Sequence, residues 1–543
     1  MLVKSSYHKK VVYFGIDALI ECLELINKKE YEIVKLFTMP DDSYDKTIKV
    51  QEYAKTHDIP YTTNKVKKED IELLEKSGVE LIIVAGYSWK IPISKSIKQI
   101  NIHPAYLPVG RGSWPMPVAI LKGVNLGVTI HKLSDGFDEG DIIIQEKIEI
   151  KNSDNLVTLL EKIKKISVKL LDIFLNNIDK LWESAYPQGD GEYWQEPKDL
   201  ERTICLTDCT SKIANVLRAF YGYGTLCNLN GIPIEIIKGQ VISNAKKITK
   251  EELCYKLADG YLYCEEWRLN FKEIELKDKE KVESIRKKYN PELSDYTFAL
   301  LYCWQEEMQL SIYIEEDLYV VKSIDYFFFP VGAKAKVKNF IDGLIDIGIK
   351  PKFRFCDSSM LEFMQQNYKG KYDFYMAQGD CDYLVLNKTI NELKGSDFAK
   401  RRNAYVHYSK LEPKPQVEII TKDNISNLKV ISELFSGLDK SSEMIAIEHF
   451  FELDMIGIIV KRGEEYVGFS ICSQKSEKVM QGHFMKCISL ERGSKFYLMK
   501  SCIDVFSDRF DYTNMEDDMG QEGLRIFKSS FNSEIISSYT IIF

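Results

Sequence analysis

The run Val79-Glu80-Leu81-Ile82-Ile83-Val84-Ala85-Gly86-Tyr87 constrains the fold more than any other stretch of this chain. It is apolar almost throughout and of strand length, as expected for a strand buried on both faces of a parallel sheet. The residues before it keep a regular rhythm. KVVYFGI reads as a strand and Ala18 to Ile26 as a helix, with Leu19, Leu23 and Ile26 at helical spacing. YEIVKLFT reads as a second strand and Tyr44 to His57 as a second helix. Strand and helix in alternation predict a doubly wound α/β domain. Such sheets place ligands at the carboxyl ends of their strands.

Beyond the strand-like DIIIQEKIEI, Ser153 and Asp154 offer helix caps. Apolar residues recur every three or four positions from Leu156 to Leu181, which predicts one long amphipathic helix. The segment AYPQGDGEYWQEP is rich in Gly, Pro and polar residues and reads as a linker, closing a first domain over 1–190. Residues 198–275 form a smaller unit. It has a helix from Ser211 to Tyr221, strand-like runs around GIPIEIIKGQVI and GYLYCEEWRL, and turns at Asn230-Gly231 and Asp259-Gly260. A small β-barrel-like subdomain is the expectation. The charge-dense KEIELKDKEKVESIRKKYNPEL that follows is a solvated helix or a linker. The remainder, 290–543, has an aromatic-rich α+β texture.

A net charge of -8 argues against generic affinity for nucleic-acid backbones, and no DNA partner is expected. The opening apolar stretch is broken by Gly15 and Asp17, so it does not read as a signal peptide. No run approaches the ~18 apolar residues of a membrane span. The 12 cysteines are scattered, and Cys205 and Cys209 lack His or Cys neighbours. They read as reduced thiols of a cytoplasmic protein, with no metal site implied.

Chemistry concentrates in residues 101–145, NIHPAYLPVGRGSWPMPVAILKGVNLGVTIHKLSDGFDEGDIIIQ. Asn101 and His103 stand at i and i+2 where a strand ends, so their side chains leave on one face. Pro104 stops the strand. Asp138 lies in the acidic, glycine-rich loop GFDEGD, which can return a carboxylate over that edge. Acyl transfer to an amine needs an oxyanion stabilised and a proton removed. His103, held protonated by Asp138, would donate to the oxyanion, and the Asn101 amide would add a second donor. Asp138 would orient the imidazole and help take the amine proton. No Ser or Cys nucleophile stands beside the trio, so direct transfer is expected. His131 and Asp141 are assigned structural roles, on a strand face and in a turn.

The ordered series Asn-x-His-Pro, Leu-Pro, Arg-Gly, Gly-Val-Thr-x-His and Asp-x-Gly-Asp-Ile resembles the folate-dependent formyltransferase family, which includes methionyl-tRNA and sugar N-formyltransferases. The resemblance implies a Rossmann-like domain, 10-formyltetrahydrofolate as formyl donor, and Asn101, His103 and Asp138 as catalytic residues. It also implies pterin contacts from Ser88, Trp89, Lys90 and Ile91, and from Ser134, Asp135, Gly136 and Phe137. IANVLRAFYGYG resembles a helix of the C-terminal barrel of methionyl-tRNA formyltransferases, with Arg218 and Phe220 as shared landmarks. That unit lacks a conspicuous basic patch, so tRNA is possible as acceptor but not favoured.

From Tyr296 onward the chain resembles the C-terminal domain of phosphatidylglycerol lysyltransferases, a tandem acyltransferase fold of GNAT-like type. YTFALLYCW, FFFPVG, DYLVLNKTINELKGSDFAKRRNAY and NMEDDMGQEGLRIFKSSF carry the resemblance. Lys400, Arg401 and Arg402 could fork onto the phosphates of acyl-CoA or an aminoacyl-tRNA, or could be a solvated helix face. Glu516, Asp517 and Asp518 could polarise an acceptor amine or pair with Arg525 and Lys528. ERGSKFY at 491–497 is a poor phosphate-binding loop.

The expected function is a bifunctional transferase. One half formylates the amine of a small metabolite, an amino sugar or amino-acid derivative, and the other transfers an acyl or aminoacyl group. The alternatives are a methionyl-tRNA formyltransferase with an appended domain, and a formyltransferase with a non-catalytic binding or scaffolding C-terminal half.

Overall fold

A computed structural model describes residues 9–42 and 46–543, which divide into two compact units. The first comprises the chain to Asn228 together with Ile234–Arg268. It opens on strand β1 (Lys10–Gly15), helix α1 (Ile20–Lys28), β2 (Glu32–Phe37), α2 (Ile48–Thr56), β3 (Tyr61–Thr62), α3 (Lys68–Lys76) and β4 (Leu81–Ala85). Next come β5 (Lys98–His103), β6 (Val109–Arg111), α4 (Pro115–Lys122), β7 (Leu126–Lys132) and β8 (Ile142–Ile148). Tyr44, the expected start of the second helix, lies outside the described residues.

The seven-stranded sheet has the order β3-β2-β1-β4-β5-β7-β8. Strands β1 to β5 pair in parallel, whereas β7 and β8 are antiparallel to their neighbours. β4 sits centrally and every one of its residues is buried, which accounts for its uninterrupted apolar sequence. α4 begins at Pro115, whose missing N–H costs nothing in a first helical turn, and stops at Gly123 with φ +65°.

The helix expected from Leu156 to Leu181 is two helices, α5 (Leu156–Asn176) and α6 (Ile178–Glu183). Asn177 leaves helical geometry at φ -138°, and its side chain turns back to donate to the Ile173 carbonyl. The segment expected to be a linker is built into the domain. Its strand β9 (Glu192–Tyr193) pairs with β6, and Trp194 is buried.

The smaller part carries a helix, Thr210–Ala219, and a five-stranded sheet. Its sheet order is Thr203–Ile204, Thr225–Leu229, Ile232–Ile242, Gly260–Leu269, Leu253–Leu257. Phe220 is buried, and the Arg218 guanidinium donates to the carbonyls of Asp154 and Lys151 just before α5.

The second unit, Leu269–Phe543 with Leu229–Pro233, holds two seven-stranded sheets. Each has one parallel pair among otherwise antiparallel neighbours: Phe327–Phe328 with Lys352–Cys356, and Val479–Cys487 with Tyr512–Asn514. The final strand, Tyr539–Ile542, returns to the first of these sheets between Lys352–Cys356 and Asp373–Met376. The charge-dense stretch forms a helix, Lys279–Tyr289. It is not solvated all round: Arg286 is 1% exposed, forks onto Glu283 and donates to the Lys475 carbonyl.

Candidate active site

Strand β5 delivers Asn101 and His103 to one face of the sheet, while Ile102 between them is buried on the other. Pairing with β7 sets Asn101 opposite His131 and His103 opposite Thr129. Residues directly across an antiparallel pair share a face, so His131 joins the group that Asn101 and His103 begin. The loop Ser134–Gly140 then brings in Asp138, which adopts φ +56°.

Asp138 is the hub. Its Oδ1 accepts from Asn101 Nδ2 at 3.0 Å and lies 3.5 Å from His103 Nδ1 and 3.4 Å from His131 Nε2. Its Oδ2 accepts the Gly112 backbone N–H at 3.0 Å. Gly112 has φ +106°, and a Cβ there would stand 2.6 Å from the Trp194 carbonyl oxygen, which explains glycine in the Arg-Gly pair. His131 Nδ1 faces the Lys132 carbonyl at 2.8 Å and so carries the proton. Its Nε2 stands 3.3 Å from the Asn101 amide nitrogen and 3.4 Å from Asp138 Oδ1. His131 therefore belongs to the site, contrary to the strand-face role expected of it. Asp141 keeps a turn role, pairing with Lys132 at 3.2 Å.

His103 Nε2 donates to the Gly110 carbonyl at 2.7 Å. Burial pulls the imidazole pKa below its ordinary value and outweighs the upward pull of Asp138. The resting ring is neutral at neutral pH, not held protonated. Burial alone would raise the Asp138 pKa, but His103, His131 and the Gly112 N–H hold it well below the usual carboxylate range. The carboxylate is the fixed charge of the site.

The segment after α6 braces this hub. Gln188 Nε2 donates to the carbonyls of Asp138 at 2.8 Å and Gly140 at 2.6 Å. Its Oε1 accepts from Arg111 Nε at 3.1 Å and Nη2 at 3.0 Å. Arg111 also reaches the Gly189 carbonyl, and the main-chain N–H of Trp194 donates to the Arg111 carbonyl. Sequence reasoning missed Gln188, Tyr193 and Trp194. Two adjacent aromatics in an otherwise polar stretch were the available signal. Gln188→Ala is expected to lower kcat/KM for formyl transfer roughly tenfold or more, because small displacements of reacting groups are costly. Initial rates against acceptor concentration check this. At Gly140 a Cβ would run into the Lys132 carbonyl oxygen. Gly140→Ala is expected to destabilise the first unit by about 1–3 kcal/mol, read as faster hydrogen exchange along residues 132–141.

A cavity of about 650 Å³ opens over the hub. Ser88, Trp89, Lys90 and Ile91 line it, with Ser134, Gly136, Phe137, Tyr193 and Trp194. Asp135 is exposed and is not part of the lining.

A second cavity, about 510 Å³, lies within the second unit. Met, Phe, Leu and Trp side chains contribute much of its wall, and Asp295, Asp380, Asp439, Glu516, Asp517, Arg354 and Lys528 bring charge to it. The carboxylate triplet divides. Asp518 is forked by Arg525 at 2.9 and 3.1 Å and accepts from Tyr383, so it is structural. Glu516 accepts from Gln481 at 2.7 Å and faces His483 Nδ1 at 2.8 Å, whereas Asp517 keeps to the cavity.

The basic cluster is also used internally. Arg402 donates to the Leu393 and Gly395 carbonyls, and Arg401 lies 4.5 Å over the Phe531 ring. At the start of the helix Ser494–Phe506, a Cβ on Gly493 would strike the Ala404 carbonyl oxygen. The helix Ala399–Ser409 thus packs closely against Gly493.

Residues 10–173 match the Formyl transferase family, and residues 286–542 match Phosphatidylglycerol lysyltransferase, C-terminal. Methionyl-tRNA formyltransferase of Ehrlichia ruminantium (strain Gardel) is 30% identical over 227 residues, 39% of this chain and 74% of the relative. The enzyme of the same name from Prochlorococcus marinus subsp. pastoris is 30% identical over 185 residues, 32% of this chain and 56% of the relative. The chain thus spans little more than half of that relative. Among solved structures, a conserved protein of unknown function from Bacteroides thetaiotaomicron is 21% identical, with a TM-score of 0.47, covering 51% of this chain and 99% of that one. The chain belongs to the formyl transferase family through its first unit, and its second unit carries a domain of the phosphatidylglycerol lysyltransferase C-terminal type.

Proposed function

We propose that the chain is a bifunctional transferase whose first unit moves a formyl group from 10-formyltetrahydrofolate to the amine of a small metabolite. The observation that carries the reading is Asp138, held ionised at the meeting point of Asn101, His103, His131 and the Gly112 N–H. When bound, the folate supplies a formyl group already activated for direct transfer to nitrogen. Trp89, Ile91 and Phe137 offer apolar surface for its planar ring, and Ser88 and Ser134 offer hydroxyls beside it. Lys90 would meet its acidic tail.

In this reading the Asn101 amide, turned from Asp138, would donate to the oxygen of the formyl group under transfer. The neutral His103 takes the proton released by the amine on Nδ1, the nitrogen that faces Asp138. The ionised carboxylate stabilises the imidazolium so formed, and that proton is available to the departing folate nitrogen. Asp138 thus acts as counter-ion, and His103 as the proton carrier.

The acceptor is read as an amino sugar or amino-acid derivative because the chain is acidic overall. The second unit is read as an acyl or aminoacyl transferase of GNAT-like architecture. Its donor is read as an acyl-CoA or an aminoacyl-tRNA, and supplying each in turn to the full chain with an amine acceptor separates the two. Incubating the full chain with 10-formyltetrahydrofolate and a panel of amines tests the first step. Gain of one formyl group by a small amine supports the reading. Formylation confined to methionyl-tRNA would replace it.

A further inference from the structure

The fold sorts the 12 cysteines in a way that their spacing does not. Cys205 and Cys209, the pair nearest in sequence, are exposed and turn their sulfurs to the hydroxyls of Thr207 at 3.0 Å and Ser211 at 3.3 Å. Cys472 and Cys502, thirty residues apart, bring their sulfurs within 3.6 Å of each other. The first comes from the strand Glu465–Gln474 and the second from the helix Ser494–Phe506 packed against it. Each is only 2% exposed, yet both line the cavity of the second unit, with Ser470 from the same strand and Met499 and Ile503 from the same helix. A reagent small enough to enter the cavity therefore reaches both sulfurs.

The two thiols are not equivalent. Donation from the Cys472 thiol pulls the Cys502 pKa below its ordinary value, against the effect of burial and with help from the Ser470 hydroxyl. The same contact, together with burial, pushes Cys472 far up. Ser470 Oγ also stands 3.8 Å from the Cys472 sulfur. The pair thus shares one proton, and Cys502 is the sulfur that carries the charge when the other is lost. A thiolate is the nucleophile toward peroxides, and a second thiol within reach resolves the product.

We propose that Cys472 and Cys502 form a reversible redox site in the wall of this cavity, oxidised to a disulfide by hydrogen peroxide and restored by a thiol reductant. The Cys502 sulfur attacks one peroxide oxygen. An S–O bond forms, the O–O bond breaks, and water leaves with the Cys502 proton. The Cys472 sulfur then attacks the Cys502 sulfur. The S–S bond forms, the S–O bond breaks, and a second water leaves with the Cys472 proton. Two thiols are oxidised and one peroxide is reduced. The sulfurs must approach by roughly 1.5 Å to bond, which draws on a strand and a helix that both wall the cavity. Oxidant thereby reshapes the second unit. Among the described residues no cysteine lines the cavity of the first unit, so that site is left as it was.

The full chain is reduced, freed of reductant and treated with hydrogen peroxide at neutral pH, then digested without reductant and read by mass spectrometry. The expected product is a peptide pair joined through Cys472 and Cys502. It should be at least about tenfold more abundant than any other cysteine pairing, and dithiothreitol should abolish it. Hydrogen exchange over residues 465–474 and 494–506 is expected to slow in the oxidised chain. Cys472→Ala should leave Cys502 to accumulate as a sulfenic acid, trapped by dimedone. Cys502→Ala should label Cys472 at least about tenfold more slowly. No Cys472–Cys502 linkage, or one no more abundant than other pairings, overturns the proposal and leaves the two sulfurs as packing. Equal labelling in the two variants overturns the order of attack. Unchanged exchange in both segments overturns the effect on the cavity. The linkage is read on the unaltered chain, so that result stands even where a variant fails to fold.

Discussion

Asp138→Asn is expected to lower kcat for formyl transfer by roughly 10²–10⁴, with little change in the fold. The substitution keeps the shape of the side chain and removes its charge. In the native site the carboxylate accepts from Asn101 and Gly112 at 3.0 Å and faces the imidazoles of His103 and His131. An amide can still accept on one atom, but its NH₂ group must point at one set of those donors. The larger effect falls on the transition state, where the imidazolium of His103 loses its counter-ion in a buried site. Single-turnover rates of the variant, with folate and acceptor both saturating, measure this. A rate within tenfold of the parent would remove Asp138 from the mechanism.

His103→Gln is expected to cost a similar factor in kcat and to change how stability depends on pH. The sign follows from burial, which lowers the His103 pKa in the folded chain despite Asp138. The unfolded chain has an ordinary histidine, near 6.5. As pH falls below about 6.5, the unfolded state gains a proton that the folded state resists, so stability is lost toward acid. The slope is at most about 1.4 kcal/mol per pH unit for one group. His103→Gln removes that contribution, so the parent should lose protection in β5 toward acid faster than the variant does. Hydrogen exchange of residues 98–103 in both proteins, from neutral pH downward, measures the difference. Parallel profiles would show that His103 does not resist protonation. The same shift lets kcat/KM of the parent stay level below the pH at which an ordinary histidine base is half protonated.

Much of the first unit was legible from sequence because its signals are local. β4 announces itself by an unbroken apolar run. Asn101 and His103 are legible as a pair because strand geometry alone puts i and i+2 on one face. The break at Asn177 was not legible, because apolar spacing continues across it and only the backbone turn interrupts the helix. His131 was missed for a different reason. Its place beside Asn101 depends on the register of β5 with β7, across an intervening loop and helix. Gln188 and Trp194 were missed because glycine and proline around them resemble a tether, although the backbone between them pairs with β6.

The second unit shows the same division more sharply. Composition placed basic residues at 400–402 and acidic ones at 516–518, and no local rule says which of them are already paired. The structure commits Arg401, Arg402 and Asp518 to internal contacts and brings Asp295, more than two hundred residues earlier in the chain, to the same cavity as Asp517. The sequence by itself determined the elements, the alternation of the first domain and the Asn-x-His pair, since these rest on chain-local periodicity and sterics. The tertiary structure decided which charges have partners, which imidazole resists protonation and which carboxylates line a cavity. Those properties depend on burial and on distances between residues remote in sequence, and electrostatic energy in a low-dielectric interior is set by both.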